Sequence, residues 1–205
     1  MVKTNTQTFG SNKSAYYTQN RLKTFTVAAM LMAMNIVLSS FSIPVPGGHF
    51  YLNDCVICTA ALLLDMPEAI MVAALGSFLG DAIFYPAPMF VTLITRAVQT
   101  LIIVGISHPR RGENPGLVRS IPGLLLGQAV MVLGYSIGRA FVYATPEYAV
   151  IKLPFEILQA GVGAVFGLVI VFFTPVRKVF HQLVGSGKAP KDESKTESGE
   201  LNVNQ

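Results

Sequence analysis

The chain alternates long apolar runs with short breaks rich in proline, glycine and charge. Residues 1–20 are polar, with Asn, Gln, Ser, Thr and Lys, and are expected to be disordered or surface-bound. Arg21 and Lys23 precede the first apolar run, which reaches about Phe41. That run is long enough to span a bilayer. A cleaved signal peptide is the alternative, given its basic start and the serines at 39, 40 and 42. The stretch Ile43 to Phe50, with two prolines and two glycines, predicts a loop.

Five more helices follow. A short one is predicted over Tyr51 to Leu64. After the turn Asp65-Met-Pro-Glu68, a third runs to about Tyr85, with Pro67 suited to its first turn. Tyr85-Pro-Ala-Pro88 breaks it, and a fourth covers Met89 to Ser107. The basic loop from His108 to Pro115 leads to a fifth from about Ser120 to Tyr143. The sixth covers about Ala149 to Thr174, and the residues from 179 on form a polar tail, expected to be disordered. The expected fold is all-α, an integral membrane protein of six transmembrane helices (21–178) between two cytoplasmic polar segments (1–20 and 179–205).

Charge fixes the orientation. Of the fifteen Lys and Arg residues, all but Arg96, Arg139 and Lys152 lie outside the apolar runs. With the amino terminus inside, the cytoplasmic segments collect Lys3, Lys13, Arg21, Lys23, Arg110, Arg111, Arg119, Arg177, Lys178 and the tail lysines. The outer loops hold none, with Lys152 at the edge of helix six. Retention of positive loops inside therefore places both termini in the cytoplasm. The composition agrees: 52% hydrophobic, only 13% charged, with mean hydropathy +0.53, where a soluble domain carries about 25% charge. The net charge of +4 sits beside apolar runs, which fits anionic lipid headgroups better than nucleic acid.

An ionisable side chain inside a bilayer is expensive and points to a pathway or a ligand. Helices four, five and six each carry a polar stripe at helical spacing: Thr92, Arg96 and Gln99; Gln128, Tyr135 and Arg139; Lys152, Glu156 and Gln159. Counting 1.5 Å per residue from the outer ends, Arg96, Arg139 and Glu156 lie roughly 6–11 Å deep. A shared depth predicts an outward-facing pocket. Its charges nearly cancel, Arg96, Arg139 and Lys152 against Asp81, Glu156 and Asp54, which suits a neutral or zwitterionic ligand. The alternative is that Glu156 pairs with Arg96 or Arg139 only to join helices. Asn53 and Asp54 also stand where an N-cap would. The aromatics at this end, among them Phe50, Tyr51, Tyr85, Phe141, Tyr143 and Tyr148, form an interfacial belt or a stacking platform.

Other signals are weaker. Gly76-xxx-Gly80, Gly134-xxx-Gly138 and Gly163-xxx-Gly167 would let helices approach closely, and Ala29-xxx-Ala33 makes a smooth face on helix one, for a partner or for lipid. The CxxC of Cys55 and Cys58 lacks the second pair that a zinc site needs, so buried inert thiols are expected. No GxxxxGK[ST] loop, HExxH or serine elbow occurs, and no inverted repeat is obvious. The chain therefore has no ATP engine of its own.

One group of motifs carries a family resemblance. Ala29 and Ala33, Pro44-Val-Pro-Gly-Gly48, Leu52-Asn-Asp54, Gly76-Ser with Gly80-Asp81, and Pro88-Met-Phe-Val-Thr92-Leu-Ile-Thr-Arg96 resemble the substrate-binding S components of energy-coupling factor (ECF) vitamin transporters. The riboflavin-type branch, with its hydroxymethylpyrimidine and pyridoxine carriers, is the most similar. The resemblance covers about Lys23 to Lys178. It implies six helices in the cell membrane, a vitamin bound from outside, and assembly with a transmembrane coupling subunit and two ATPases that use ATP. The chain itself would bind no cofactor and catalyse no reaction. Ala29 and Ala33 match the family's docking motif. Ligand contacts are expected from Thr92, Arg96, Gln99, Tyr135, Arg139, Glu156 and Gln159, with Asn53, Asp54, Asp81 and Tyr85 completing the candidate set. The chain has no Trp, so a Tyr or Phe must stack on the ligand. A pyridoxine- or hydroxymethylpyrimidine-like ring is the first expectation and riboflavin the second. A proton-driven carrier using Glu156 or Asp81, and a purely structural subunit, are the rival readings.

Overall fold

The computed structural model describes residues 6–46, 48–108 and 116–185. The helices are α1 (Thr6–Ser40), α2 (Asp54–Leu63), α3 (Met66–Phe84), α4 (Met89–Ser107), α5 (Leu117–Tyr143), α6 (Pro146–Phe173) and α7 (Val176–Gly185). Each of α3, α5 and α6 contains one π-helical stretch, at Met71–Leu75, Arg139–Tyr143 and Val169–Phe173. Among the described residues, five segments are long and apolar enough to cross a membrane: Arg21–Ser40, Met66–Phe84, Met89–Ser107, Leu117–Tyr143 and Pro146–Phe173. The protein is a predominantly helical, multi-pass membrane protein.

Four expectations need correction. The first helix begins at Thr6, well before Arg21. The stretch after it is not an open loop: β1 (Ser42–Val45) and β2 (Gly48–Tyr51) pair antiparallel, Ser42 facing Tyr51 and Val45 facing Gly48. Pro44 is tolerated because a two-stranded ribbon has only edges. The helix after the hairpin starts at Asp54 and has ten residues, about 15 Å at 1.5 Å per residue, half a bilayer core. Finally, the first part of the expected tail is helical, as α7. The tail beyond 185, residues 1–5 and the loop arginines Arg110 and Arg111 lie outside the described residues.

Burial explains why α2 can be short. Its run Val56 to Leu62 is buried on every side, as expected of a helix that is apolar all round. It forms the centre of the molecule with Leu64, Ala69 and Val72 near α3's start, Ile103 and Val104 of α4, Leu124 of α5 and Val171 of α6. The other helices surround it, α4 packing on α5, α5 on α6, α6 on α2 and α1 on α3. Glycines set the closest approaches: a Cβ on Gly80 would fall 2.7 Å from Ser39 Cβ, and one on Gly167 2.6 Å from Cys58 Cβ. The outer faces expose large apolar side chains such as Met30, Ile83, Phe90, Leu133, Phe141 and Phe173. Among the described residues the buried charged side chains, Asp54, Asp81, Arg96, Arg139, Lys152 and Glu156, lie inside at the end where the hairpin lies.

Candidate functional site

The three polar stripes converge. Thr92, Arg96, Gln99, Gln128, Arg139, Lys152, Glu156 and Gln159 are all buried, because helical spacing turns each set toward the axis of the bundle. All of these but Gln99 and Gln128 line a cavity of about 300 Å³, roofed by Gly48, His49 and Tyr51 of the hairpin. Of the expected ligand residues, Asn53, Asp81, Tyr85, Thr92, Arg96, Tyr135, Arg139, Glu156 and Gln159 line it. Asp54 and Gln99 are not in the lining and stand behind it.

Two buried ion pairs organise the wall. Arg96 pairs with the Asp54 carboxylate, donating from both terminal nitrogens, and its Nη1 also donates to Gln99 Oε1 at 2.9 Å. Gln159 Nε2 donates to the second Asp54 oxygen while Gln159 Oε1 accepts the Tyr51 backbone N–H at 3.0 Å. One amide thus joins the hairpin to the Asp54–Arg96 pair. Gln99 continues inward by donating to Gln128 Oε1 at 3.2 Å, and Gln128 Nε2 donates to Cys58 Sγ at 3.0 Å.

The second pair links α5 to α6. Arg139 Nη1 donates to Glu156 Oε1 at 2.5 Å, Ser136 Oγ donates to Glu156 Oε2 at 3.3 Å, and Lys152 Nζ stands 3.7 Å from Glu156 Oε1. Opposite them, Thr92 Oγ1 donates to Asp81 and accepts from Tyr135 OH at 3.1 Å. The capping reading for Asn53 and Asp54 is overturned. Asn53 is the N-cap residue of α2 but makes no side-chain cap bond. Its Nδ2 donates to Ser39 Oγ on α1, and Asp54 is taken up by Arg96.

Aromatic faces lie over the cations: Arg96 is 5.3 Å from the Tyr135 ring centroid, Arg139 5.7 Å from Tyr143 and Lys152 5.9 Å from Tyr51. His49 stacks at a tilt on Tyr85, centroids 5.3 Å apart. Three lining residues keep a buried polar atom without a hydrogen-bond partner: His49 Nδ1, Asn53 Oδ1 and Arg96 Nε. Unpaired buried polar groups cost about 1–3 kcal/mol each. Such groups gathered at one cavity are what a polar ligand would satisfy.

The model of the family described as "ECF-type riboflavin transporter, S component" matches residues 19–176. The chain belongs to this family. It is therefore a membrane-embedded, substrate-binding subunit of an ECF transporter. Membership implies association with the transmembrane and ATPase subunits of such a transporter. No curated protein matches the sequence.

Within this S component, Ala29 and Ala33 lie exposed on α1, while Asn35 and Ser39 of the same helix turn inward. Asn35 Nδ2 donates to the Val72 carbonyl at 2.8 Å and to Ser77 Oγ at 3.2 Å. Ser77 also lines the cavity; sequence reasoning missed it, as it missed His49. Pro46-Gly47 is not one of the residue pairs that mark a tight hairpin, and Pro44 argues against a strand, so the stretch read as a loop and His49 was not singled out. Tyr51, Tyr143 and Tyr148, read as belt or platform, all face the cavity. Cys55 and Cys58 are free thiols, Cys58 fully buried. Among the described residues no three His, Cys, Asp or Glu side chains converge as metal ligands do.

Proposed function

We propose that this S component captures a small neutral or zwitterionic vitamin from outside the cell, with a single pyridoxine- or hydroxymethylpyrimidine-like ring. The observation that carries this reading is the cavity wall. Arg96, Arg139 and Lys152 are set against Asp81, Glu156 and, behind them, Asp54, so a ligand with net charge would meet an unfavourable partner on some side. Ring hydroxyls would accept from Arg96 Nε and Lys152 and donate to Asn53 Oδ1 and Glu156. A tyrosine, with Tyr135 and Tyr143 already lying under guanidinium groups, would stack on the ring. The cavity volume is at the lower end for small-ligand sites. Its lining combines five tyrosine rings with Pro88, Met131 and Ala144, faces on which a flat ring can stack. Riboflavin is the second reading, favoured by the printed description of the family model.

The proposed topology has six crossings with both termini cytoplasmic, in the plasma membrane. Five are the long helices. The sixth combines the hairpin with α2: Asp54 is level with Arg96, which lies seven residues into α4, or about 10 Å. The chain has thus descended part of the way before α2 begins. The exposed Ala29–Ala33 face would receive the coupling subunit, whose two ATPase partners hydrolyse ATP; the chain itself would carry no cofactor.

Calorimetric titration of the purified chain with pyridoxine, hydroxymethylpyrimidine and riboflavin tests the ligand. Saturable one-to-one binding of a single-ring compound, tighter than riboflavin, is the expected result. Riboflavin binding tighter than either would move the assignment to the second reading.

A further inference from the structure

At the end opposite the cavity, the chain turns at Thr174 and Pro175, and α7 packs back against α1 and the end of α6. Val176, Val179, Phe180, Leu183 and Val184 follow steps of three and four, giving this helix one apolar face. Only part of that face is used within the protein. Phe180 packs on the central core beside Leu168 and Phe172, but Val176, Val179 and Leu183 are 39%, 46% and 55% exposed. Arg177 lies 5.6 Å over the Phe172 ring, and Lys178 is exposed.

Position limits what can cover the exposed stripe. The helix begins three residues after Phe173, where the last long apolar span ends, so it lies at the boundary between acyl chains and headgroups. The same end gathers Arg21 and Lys23 at the start of the first span and Arg119 in the first turn of α5, against the acids Asp65, just before α3, and Glu68, in its first turn. Among the described residues that is five basic groups to two acidic ones. An apolar stripe flanked by cations at this depth has the composition of a helix lying in a membrane surface, and basic residues there attract anionic lipid.

We propose that α7 is an interfacial anchor that binds anionic phospholipid. Val176, Val179 and Leu183 sit in the acyl boundary, and Arg177 and Lys178 contact the phosphates. The inference rests on the membrane assignment alone and is independent of the ligand in the cavity.

The chain contains no Trp, so Leu183→Trp in the full-length protein supplies a single fluorophore. In nanodiscs, its emission should be quenched by lipid brominated on the acyl chains. Brominated phosphatidylglycerol should quench at lower mole fraction than brominated phosphatidylcholine. Arg177→Gln with Lys178→Gln should erase that preference, by up to roughly fivefold per cation. Val179→Trp, on the same stripe, repeats the measurement if Leu183→Trp folds poorly. Water-like, unquenched emission would overturn the proposal. Equal quenching by the two headgroups would overturn the anionic preference. Emission that leaves water only when the coupling subunit is added would assign the stripe to that protein instead.

Discussion

Arg96 and Asp54, forty-two residues apart in sequence, form a buried ion pair that joins α4 to the first turn of α2. Gln159 of α6 holds the second Asp54 oxygen, so three helices meet on one carboxylate. This changes what a substitution there reports. Breaking a buried pair leaves a charge without a partner and costs about 3–5 kcal/mol. Arg96→Ala should lower the unfolding free energy of the ligand-free protein by that amount. Asp54→Leu combined with Arg96→Met should recover much of it. Denaturant titration of wild type and the two variants in detergent checks this.

Lys152 separates binding from folding. Its ammonium is 3.7 Å from a Glu156 oxygen that Arg139 already holds at 2.5 Å, so removing it leaves Glu156 paired. Lys152→Met keeps the aliphatic stem under Gly48, whose Cβ position lies 3.1 Å from Lys152 Cδ. Because no buried charge is left unpaired, apo stability should fall by much less than the roughly 3–5 kcal/mol of a broken buried pair, while ligand affinity falls about ten- to two-hundredfold with one charge-assisted bond. Calorimetry beside an apo melting curve distinguishes the two effects.

Two glycines on one turn of α6 should behave in opposite ways. A Cβ at Gly163 would stand 2.6 Å from Asp54 Cβ, whereas one at Gly161 has nothing within 4 Å. Gly163→Ala should cost about 1–3 kcal/mol by overpacking and weaken ligand binding as Asp54 shifts. Gly161→Ala should be neutral or stabilising by up to about 1 kcal/mol. Melting temperatures of both variants give the comparison.

The legibility of the sequence followed the range of the interactions. Thr92, Arg96 and Gln99 share a face by spacing alone, and α4 has the ends that its flanking Pro88 and Ser107 predict. The stripes of α5 and α6 were readable for the same reason. What was not readable depended on contacts distant in sequence. Nothing in the spacing selects Asp54 for Arg96 and Glu156 for Arg139. On the proposed topology, the short α2 spans so little because the hairpin before it already descends. The π-helical stretch at Met71–Leu75 has no sequence signal either; the Asn35 side chain that takes the Val72 carbonyl comes from another helix.

The proposed docking face is the outer side of α1. Ala29 and Ala33 are exposed there while Asn35 and Ser39 hold the inner side to α3 and α2. Ala33→Trp should block assembly with the coupling subunit, because close helix approach needs small side chains, and should leave ligand affinity unchanged. Pull-down of the coupling subunit beside a binding isotherm measures both; normal assembly would place the docking face elsewhere.

Native mass spectrometry of the chain released from detergent tests the central claim most directly, since it identifies whatever the cavity retains. The account predicts one adduct with the mass of a single-ring vitamin on the wild-type protein. It predicts loss of that adduct from the Lys152→Met variant, which keeps the Arg139–Glu156 pair and melts within a few degrees of wild type. An adduct retained in full by the folded Lys152→Met variant, or a wild-type protein that takes up no vitamin when each is supplied, would contradict it.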